Sequence, residues 1–214
     1  MKPLPQDLQA LLWDVDGTLA DSEPVHERSF LDAAQALGLR LPRDFHASLL
    51  GQSEEATYAI LVRDHGLKLH VAAWAARRHA AYLRRIDEVK PHPAAWATLR
   101  LAARLGLAQA LVSNSPREIV EANLHQLGLR MPQRLVISRD DVQRGKPDPE
   151  PYALALSRLG VSANVAVAIE DSDSGRMSAE GAGLAVCLMN HVSPRSSVLR
   201  LTHLEQLLIE KASP

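Results

Sequence analysis

Short, almost wholly apolar runs recur along this chain and alternate with stretches of helical period. That alternation restricts the fold more than any other feature. The runs are Leu8–Asp14, Ala108–Ser113, Arg134–Ser138, Val165–Glu170 and Leu184–Met189. Each has the length of a common strand and is apolar on both faces, as strands are when helices cover both sides of a sheet. Between them, Pro116 precedes the pattern REIVEANLHQL, which Gly128 ends. Pro149 or Pro151 likewise opens YALALSRL before Gly160. Proline near a helix start and glycine past its end is the usual asymmetry. The expected fold is α/β: a doubly wound, mainly parallel, Rossmann-like sheet.

One stretch breaks the rhythm. From Ser22 to about Lys90 no strand pattern occurs, whereas Glu23–Leu37, Glu54–His65 and Ala72–Val89 carry helical period, with Gly38, Gly51 and Gly66 between them. This insertion of roughly 70 residues is too long for a plain crossover loop. The expected organisation is a core of residues 1–20 and 93–214, with a helical cap domain, 21–92, inserted after the first strand. The last residues, Ala212–Pro214, are expected to fray.

Composition narrows the possible partners. Lys plus Arg number 24 and Asp plus Glu 25, giving a formal charge of −1. That balance offers no field for nucleic acid or an anionic membrane. Aromatic residues are only 4%, too few for base-stacking platforms. No apolar run approaches the roughly 18 residues of a membrane helix. The opening MKPLPQDLQALLWD has no signal-peptide core. Cys187 is the single cysteine, so neither an internal disulfide nor a thiolate zinc site can form. A reduced, cytoplasmic setting is expected, with a monomer as the default state.

The chemistry gathers at the ends of the apolar runs. Asp14-Val-Asp16-Gly17-Thr18-Leu19 follows the first. In an open α/β sheet, ligands bind beyond the carboxyl ends of the strands. Two carboxylates two residues apart can share that space, and then need a cation or a shared proton. An acidic surface turn would look similar. Ser113-Asn114-Ser115 ends the second run and could bond a phosphoryl oxygen, or merely cap the next helix. Gly145-Lys146-Pro147-Asp148-Pro149 could hold a lysine over an anion, or be a proline-rich turn. Glu170-Asp171-Ser172 suits a hard divalent cation, or an acidic helix start. Each segment alone is ambiguous. Together they put carboxylates, a hydroxyl and a lysine on one rim of one sheet, and Mg²⁺ would reconcile those carboxylates with an anionic substrate.

In this order, Asp14–Leu19, Ser113, Lys146 and Glu170-Asp171 resemble the motifs of the haloacid dehalogenase superfamily. The helical insertion resembles that of its β-phosphoglucomutase-like and sugar-phosphate phosphatase subfamily. The resemblance implies a Mg²⁺-dependent phosphatase acting on a small phosphorylated metabolite such as a sugar phosphate. Asp14 would be the nucleophile and Asp16 the acid and later base. Ser113 and Lys146 would hold the phosphoryl group, with Asn114 close by. The metal would sit on Asp14, the Asp16 backbone carbonyl and Asp171, with Glu170 as a further ligand or directly behind them.

The insertion would act as a lid that selects the leaving group. His26 stands where β-phosphoglucomutase-like relatives also carry a histidine, to meet substrate or support Asp16, or simply as a half-exposed helix residue. Leu50-Gly51-Gln52-Ser53 resembles the specificity loop, yet Glu54 follows where sugar-phosphate mutases have an arginine. A carboxylate there repels a second phosphate. Arg77 and Arg78 fall near the place of a mutase cap lysine; Arg78 is the candidate substrate contact, a solvated helix face the alternative. Pro116-Arg117 replaces a polar amide of the mutases, with Arg117 left as an available anion partner. These departures favour hydrolysis over the alternative, a phosphomutase. A non-catalytic phosphate- or partner-binding relative is a further alternative.

Overall fold

The computed structural model describes residues 2–42, 45–49, 54–129, 135–189 and 199–212. In chain order the elements are β1 (Ala10–Trp13), β2 (Ala20–Asp21), α1 (Glu23–Gln35), α2 (Phe45–Ser48), α3 (Glu54–His65), α4 (Val71–Leu83), β3 (Lys90–Pro91), α5 (Pro93–Arg104), β4 (Ala108–Val112), α6 (Arg117–Gln126), β5 (Leu135–Ile137), α7 (Glu150–Leu159), β6 (Ala166–Glu170), α8 (Asp173–Gly181), β7 (Ala185–Leu188), β8 (Leu199–Arg200) and α9 (Leu201–Ala212). They form two compact units, Met1–Asp21 with Lys90–Pro214, and Ser22–Val89.

The larger unit holds a six-stranded sheet of order β5-β4-β1-β6-β7-β8. All its pairings are parallel. This is the α/β sheet expected from the sequence. Every residue of β1 and β6 is buried, which is why those runs lack a polar alternation. Ala10 and Leu12 point to one face, where they join Ala110, Val112, Ile137, Tyr152, Ala155 and Ala168 in a core. Trp13 is also buried; its indole N–H donates to Gln109 Oε1 at 2.8 Å, and the Gln109 amide donates to the Leu99 carbonyl at 3.3 Å. Cys187 is buried in β7, and burial pushes its thiol up to about 12.

The chain moves from β1 outward to β4 and β5, then returns to the other side of β1 with β6. The strand order therefore reverses between β1 and β6, and such a switch point opens a crevice at the carboxyl ends. α6 runs from Arg117 behind its N-cap Pro116, and α7 ends at Gly160, whose φ of 68° closes the helix in the left-handed region. Where the chain leaves and re-enters this unit, Ala20 pairs with Pro91 and Asp21 with Lys90.

The smaller unit is helical. Phe30, Phe45, Leu61, Leu67, Trp74 and Ala81 form its core, with the Phe30 and Trp74 rings edge to face at 5.4 Å. The sequence period suggested one helix over Ala72–Val89. Instead α4 stops at Leu83 and a 3₁₀ turn spans Ile86–Glu88. Between them, Arg85 pairs with Asp32 of α1 and with Glu88, each at 2.6 Å. Among the described residues, no helix is long and apolar enough to cross a membrane.

Candidate active site

Three adjacent strands end in chemistry. Asp14 follows β1, its N–H donating to the Ile169 carbonyl of β6 at 2.9 Å. Ser113 follows β4, Glu170 ends β6, and Asp171 comes next. The turn after β1 needs Gly17 twice over. Its φ is 80°, and a Cβ there would lie 2.1 Å from Asp171 Oδ2. Glycine thus lets the Asp16–Thr18 turn close against Asp171. Ligand oxygens of Asp14, Glu170 and Asp171 lie within 4.8 Å of one another.

Lys146 crosses this crevice from the loop before α7. Its amino group donates to Asp14 Oδ1 at 2.6 Å, Glu170 Oε1 at 2.5 Å and the Val112 carbonyl at 2.9 Å. All three ammonium donors are used, and the side chain is only 4% exposed. Burial by itself would push the lysine down, but the Asp14 and Glu170 carboxylates outweigh it and hold the ammonium above its ordinary range. The Tyr152 ring lies beside the amino group, 5.1 Å from ring centre to Nζ, and its hydroxyl donates to Glu170 Oε1 at 2.6 Å.

Three carboxylates face this one ammonium, and the acids register the imbalance. Burial pushes Asp14 well above the usual carboxylate range; Lys146 pulls it down, while Glu170 and Asp171 push it up. Asp171 is pushed up to about 7, first by burial and then by Glu170. Asp14 Oδ2 is buried without a hydrogen-bond partner. Hard oxygen donors, surplus negative charge and an orphaned carboxylate oxygen fit a divalent cation. The cluster has the makeup to hold a metal ion.

Asp16 points to the β4 side. Its Oδ2 accepts from Ser115 Oγ at 2.8 Å and Ser113 Oγ at 3.2 Å, and its Oδ1 accepts from Asn123 Nδ2 at 2.9 Å. Ser113 Oγ in turn accepts the Ser115 N–H at 2.9 Å. Asn114 grips the backbone of Lys146 through its side-chain amide. Asp14, Asp16, Ser113, Asn114, Lys146, Glu170 and Asp171 are thus gathered at one end of the sheet.

His26 and Arg78 belong to the helical unit, where His26 stacks on Tyr82 at 4.3 Å and Arg78 lies over the Phe30 ring at 5.4 Å. Gly51 lies outside the described residues. The Arg117 guanidinium is paired with Asp141 and bonds the Val136 carbonyl, so it is committed to the fold rather than to an anion. Sequence reasoning missed Tyr152 and Asn123, and read Ser115 as part of a phosphoryl-binding or helix-capping segment rather than as a partner of Asp16. A signal existed for the first two. Both are polar groups on buried helix faces, Asn123 beside Val120 and Leu124, and Tyr152 beside Ala155, and buried polar groups require partners.

Carboxylates and a buried lysine around the switch point of a parallel sheet make a site suited to phosphoryl chemistry. A family model, haloacid dehalogenase-like hydrolase, matches residues 8–183, and the chain belongs to that family. It is 30% identical over 178 residues to the phosphorylated carbohydrates phosphatase of Thermotoga maritima, covering 83% of this chain and 82% of the relative. It is 27% identical over 212 residues to the 6-phosphogluconate phosphatase of Escherichia coli, covering 94% and 93%. Among solved structures, CbbY from Rhodobacter sphaeroides in complex with phosphate superposes with a TM-score of 0.80 at 27% identity, covering 90% of this chain and 92% of that one. The chain is an enzyme of the class that hydrolyses phosphoric monoesters.

Proposed function

We propose that this chain is a Mg²⁺-dependent phosphatase of small phosphorylated metabolites, sugar phosphates above all, working through an aspartyl-phosphate on Asp14. The observation that carries the reading is the Lys146 amino group, bonded to Oδ1 of Asp14 while Oδ2 has no partner. A nucleophile must be ionised; Lys146 favours the ionised form against the burial that opposes it, and a bound cation would favour it further. The phosphorylated carbohydrates named for one relative and the 6-phosphogluconate named for another support the substrate class.

In this mechanism an Asp14 oxygen bonds to phosphorus as the ester oxygen departs, and Asp16 gives that oxygen a proton. Asp16 then takes a proton from water, whose oxygen attacks phosphorus. The bond to Asp14 breaks, and phosphate leaves. Lys146 and the Ser113 hydroxyl would hold the phosphoryl oxygens, each exchanging one of its bonds within the protein for a bond to substrate. Asp14, Asp171, the Asp16 carbonyl and Glu170 would hold Mg²⁺, which when bound supplies positive charge to the phosphoryl group. The helical unit Ser22–Val89 would serve as the lid, with His26 and Arg78 as its candidate substrate contacts. The setting would be cytoplasmic, with the protein a monomer.

Purified protein with Mg²⁺ should release inorganic phosphate from sugar phosphates, and Asp14→Asn should abolish release while leaving the fold intact. An Asp14→Asn protein as active as the parent would exclude the nucleophile. Isomerised sugar phosphate without free phosphate would instead identify a mutase.

A further inference from the structure

We propose that Asn123, outside every motif read from the sequence, and Ser115, at the end of the Ser113-Asn114-Ser115 segment, are positioning residues that aim the Asp16 carboxylate. The proposal rests on the reading of Asp16 as proton donor and acceptor. Asn123 is completely buried on α6, among Ile119, Val120 and Leu124. An amide in such a place costs stability unless it is bonded. Its Nδ2 donates to Asp16 Oδ1 at 2.9 Å, across 107 residues of sequence. Ser115 Oγ donates to the other oxygen at 2.8 Å. Each carboxylate oxygen therefore has a donor of its own, one from within α6 and one from the loop between β4 and α6.

The third donor, Ser113, is the weakest at 3.2 Å and is the hydroxyl that the phosphoryl group also requires. A hydroxyl has one proton to donate. When Ser113 turns it to a phosphoryl oxygen, Asp16 loses that bond and keeps the other two. Asn123 and Ser115 thus separate the aim of Asp16 from the occupancy of the phosphate site. Their contribution falls on the step in which Asp16 must meet the leaving oxygen, where a displacement of about an ångström is costly.

The test uses two aryl phosphates that differ in leaving-group acidity. p-Nitrophenolate departs without a proton, whereas phenolate depends far more on one. The specificity constant kcat/KM reports the first phosphoryl transfer and excludes the later attack by water. Asn123→Leu keeps the branched shape and heavy-atom count of the side chain, with a somewhat larger volume, and removes the donor. It should lower kcat/KM about tenfold for phenyl phosphate and less than about threefold for p-nitrophenyl phosphate, through kcat rather than KM. Ser115→Ala should do the same, and it stands in if Asn123→Leu does not fold. Equal losses on both esters, no loss, or a gain would overturn the proposal. Asp16→Asn is measured alongside. If it too falls equally on both esters, the acid role of Asp16 fails. If it discriminates steeply and the Asn123 and Ser115 variants do not, only the positioning role fails.

Discussion

Asn114 and Lys146 are joined by a reciprocal pair of hydrogen bonds. The Asn114 side-chain oxygen accepts the Lys146 N–H at 2.8 Å, and its side-chain amide donates to the Lys146 carbonyl at 3.0 Å. One amide thereby replaces a strand partner for a single residue and ties the lysine loop to the end of β4. The approach is close: a Cβ at Gly145 would lie 2.6 Å from Asn114 Oδ1. Asn114→Ala should free the loop, lower kcat/KM by about tenfold and weaken inhibition by inorganic phosphate, with a smaller effect on stability of about 1 kcal/mol. Steady-state kinetics with phosphate as inhibitor check this.

Removing Lys146 should be far more damaging. Lys146→Met leaves the buried carboxylates of Asp14 and Glu170 without their ammonium. Breaking a buried ion pair from one side costs about 3–5 kcal/mol. The variant should unfold at clearly lower urea than the parent in the absence of metal, and should lose essentially all phosphatase activity. A parent-like midpoint would contradict the part given to this lysine.

Tyr152 offers a gentler probe. Tyr152→Phe keeps the ring against Lys146 and deletes only the hydroxyl that donates to Glu170. A hydrogen bond to a buried charged group is worth about 1.5–3 kcal/mol. A loss of that size is expected in urea titrations, with part of the activity retained, because Lys146 still holds Glu170.

Stability should respond to pH in a way that metal cancels. Asp171 ordinarily ionises near 3.8 and here near 7, with Asp14 raised in the same direction. A carboxyl raised by folding binds protons more tightly in the folded chain. Its contribution is present at low pH and is lost as pH climbs through the window from 3.8 to about 7. Lys146 is raised too, but its contribution is lost only in strong alkali. In metal-free protein, Asp171→Asn should therefore flatten the decline of the melting temperature over this window. Added Mg²⁺ should raise the melting temperature of the parent most at the upper end, where the carboxylates are ionised. Differential scanning calorimetry in chelator and in Mg²⁺ tests both statements.

Much of this was legible along the chain. β1, β4 and β6 announce themselves as apolar runs because both their faces are buried, and the residues that close them, Asp14, Ser113 and Glu170, follow directly. The clustering of Asp14 with Asp171 follows once those strands are neighbours. Less could be read at the C-terminal side. β8 spans two residues, Leu199–Arg200, too few for any period, and its place in the sheet comes from pairing with β7. The end of α4 was hidden as well, since the helical pattern continues past Leu83, and the Arg85 that follows pairs with Asp32, far away in sequence.

What the sequence determined by itself is the set of chemical groups and the strand ends that carry them, because hydrophobic period and turn residues act over a few neighbouring positions. Only the tertiary structure decided which partner each polar group takes: Lys146 between Asp14 and Glu170, Asn114 on the Lys146 backbone, Asn123 on Asp16, Tyr152 on Glu170. A hydrogen bond depends on distance and angle in space. Those are fixed by how α6 and α7 pack on the sheet, and no local pattern records them.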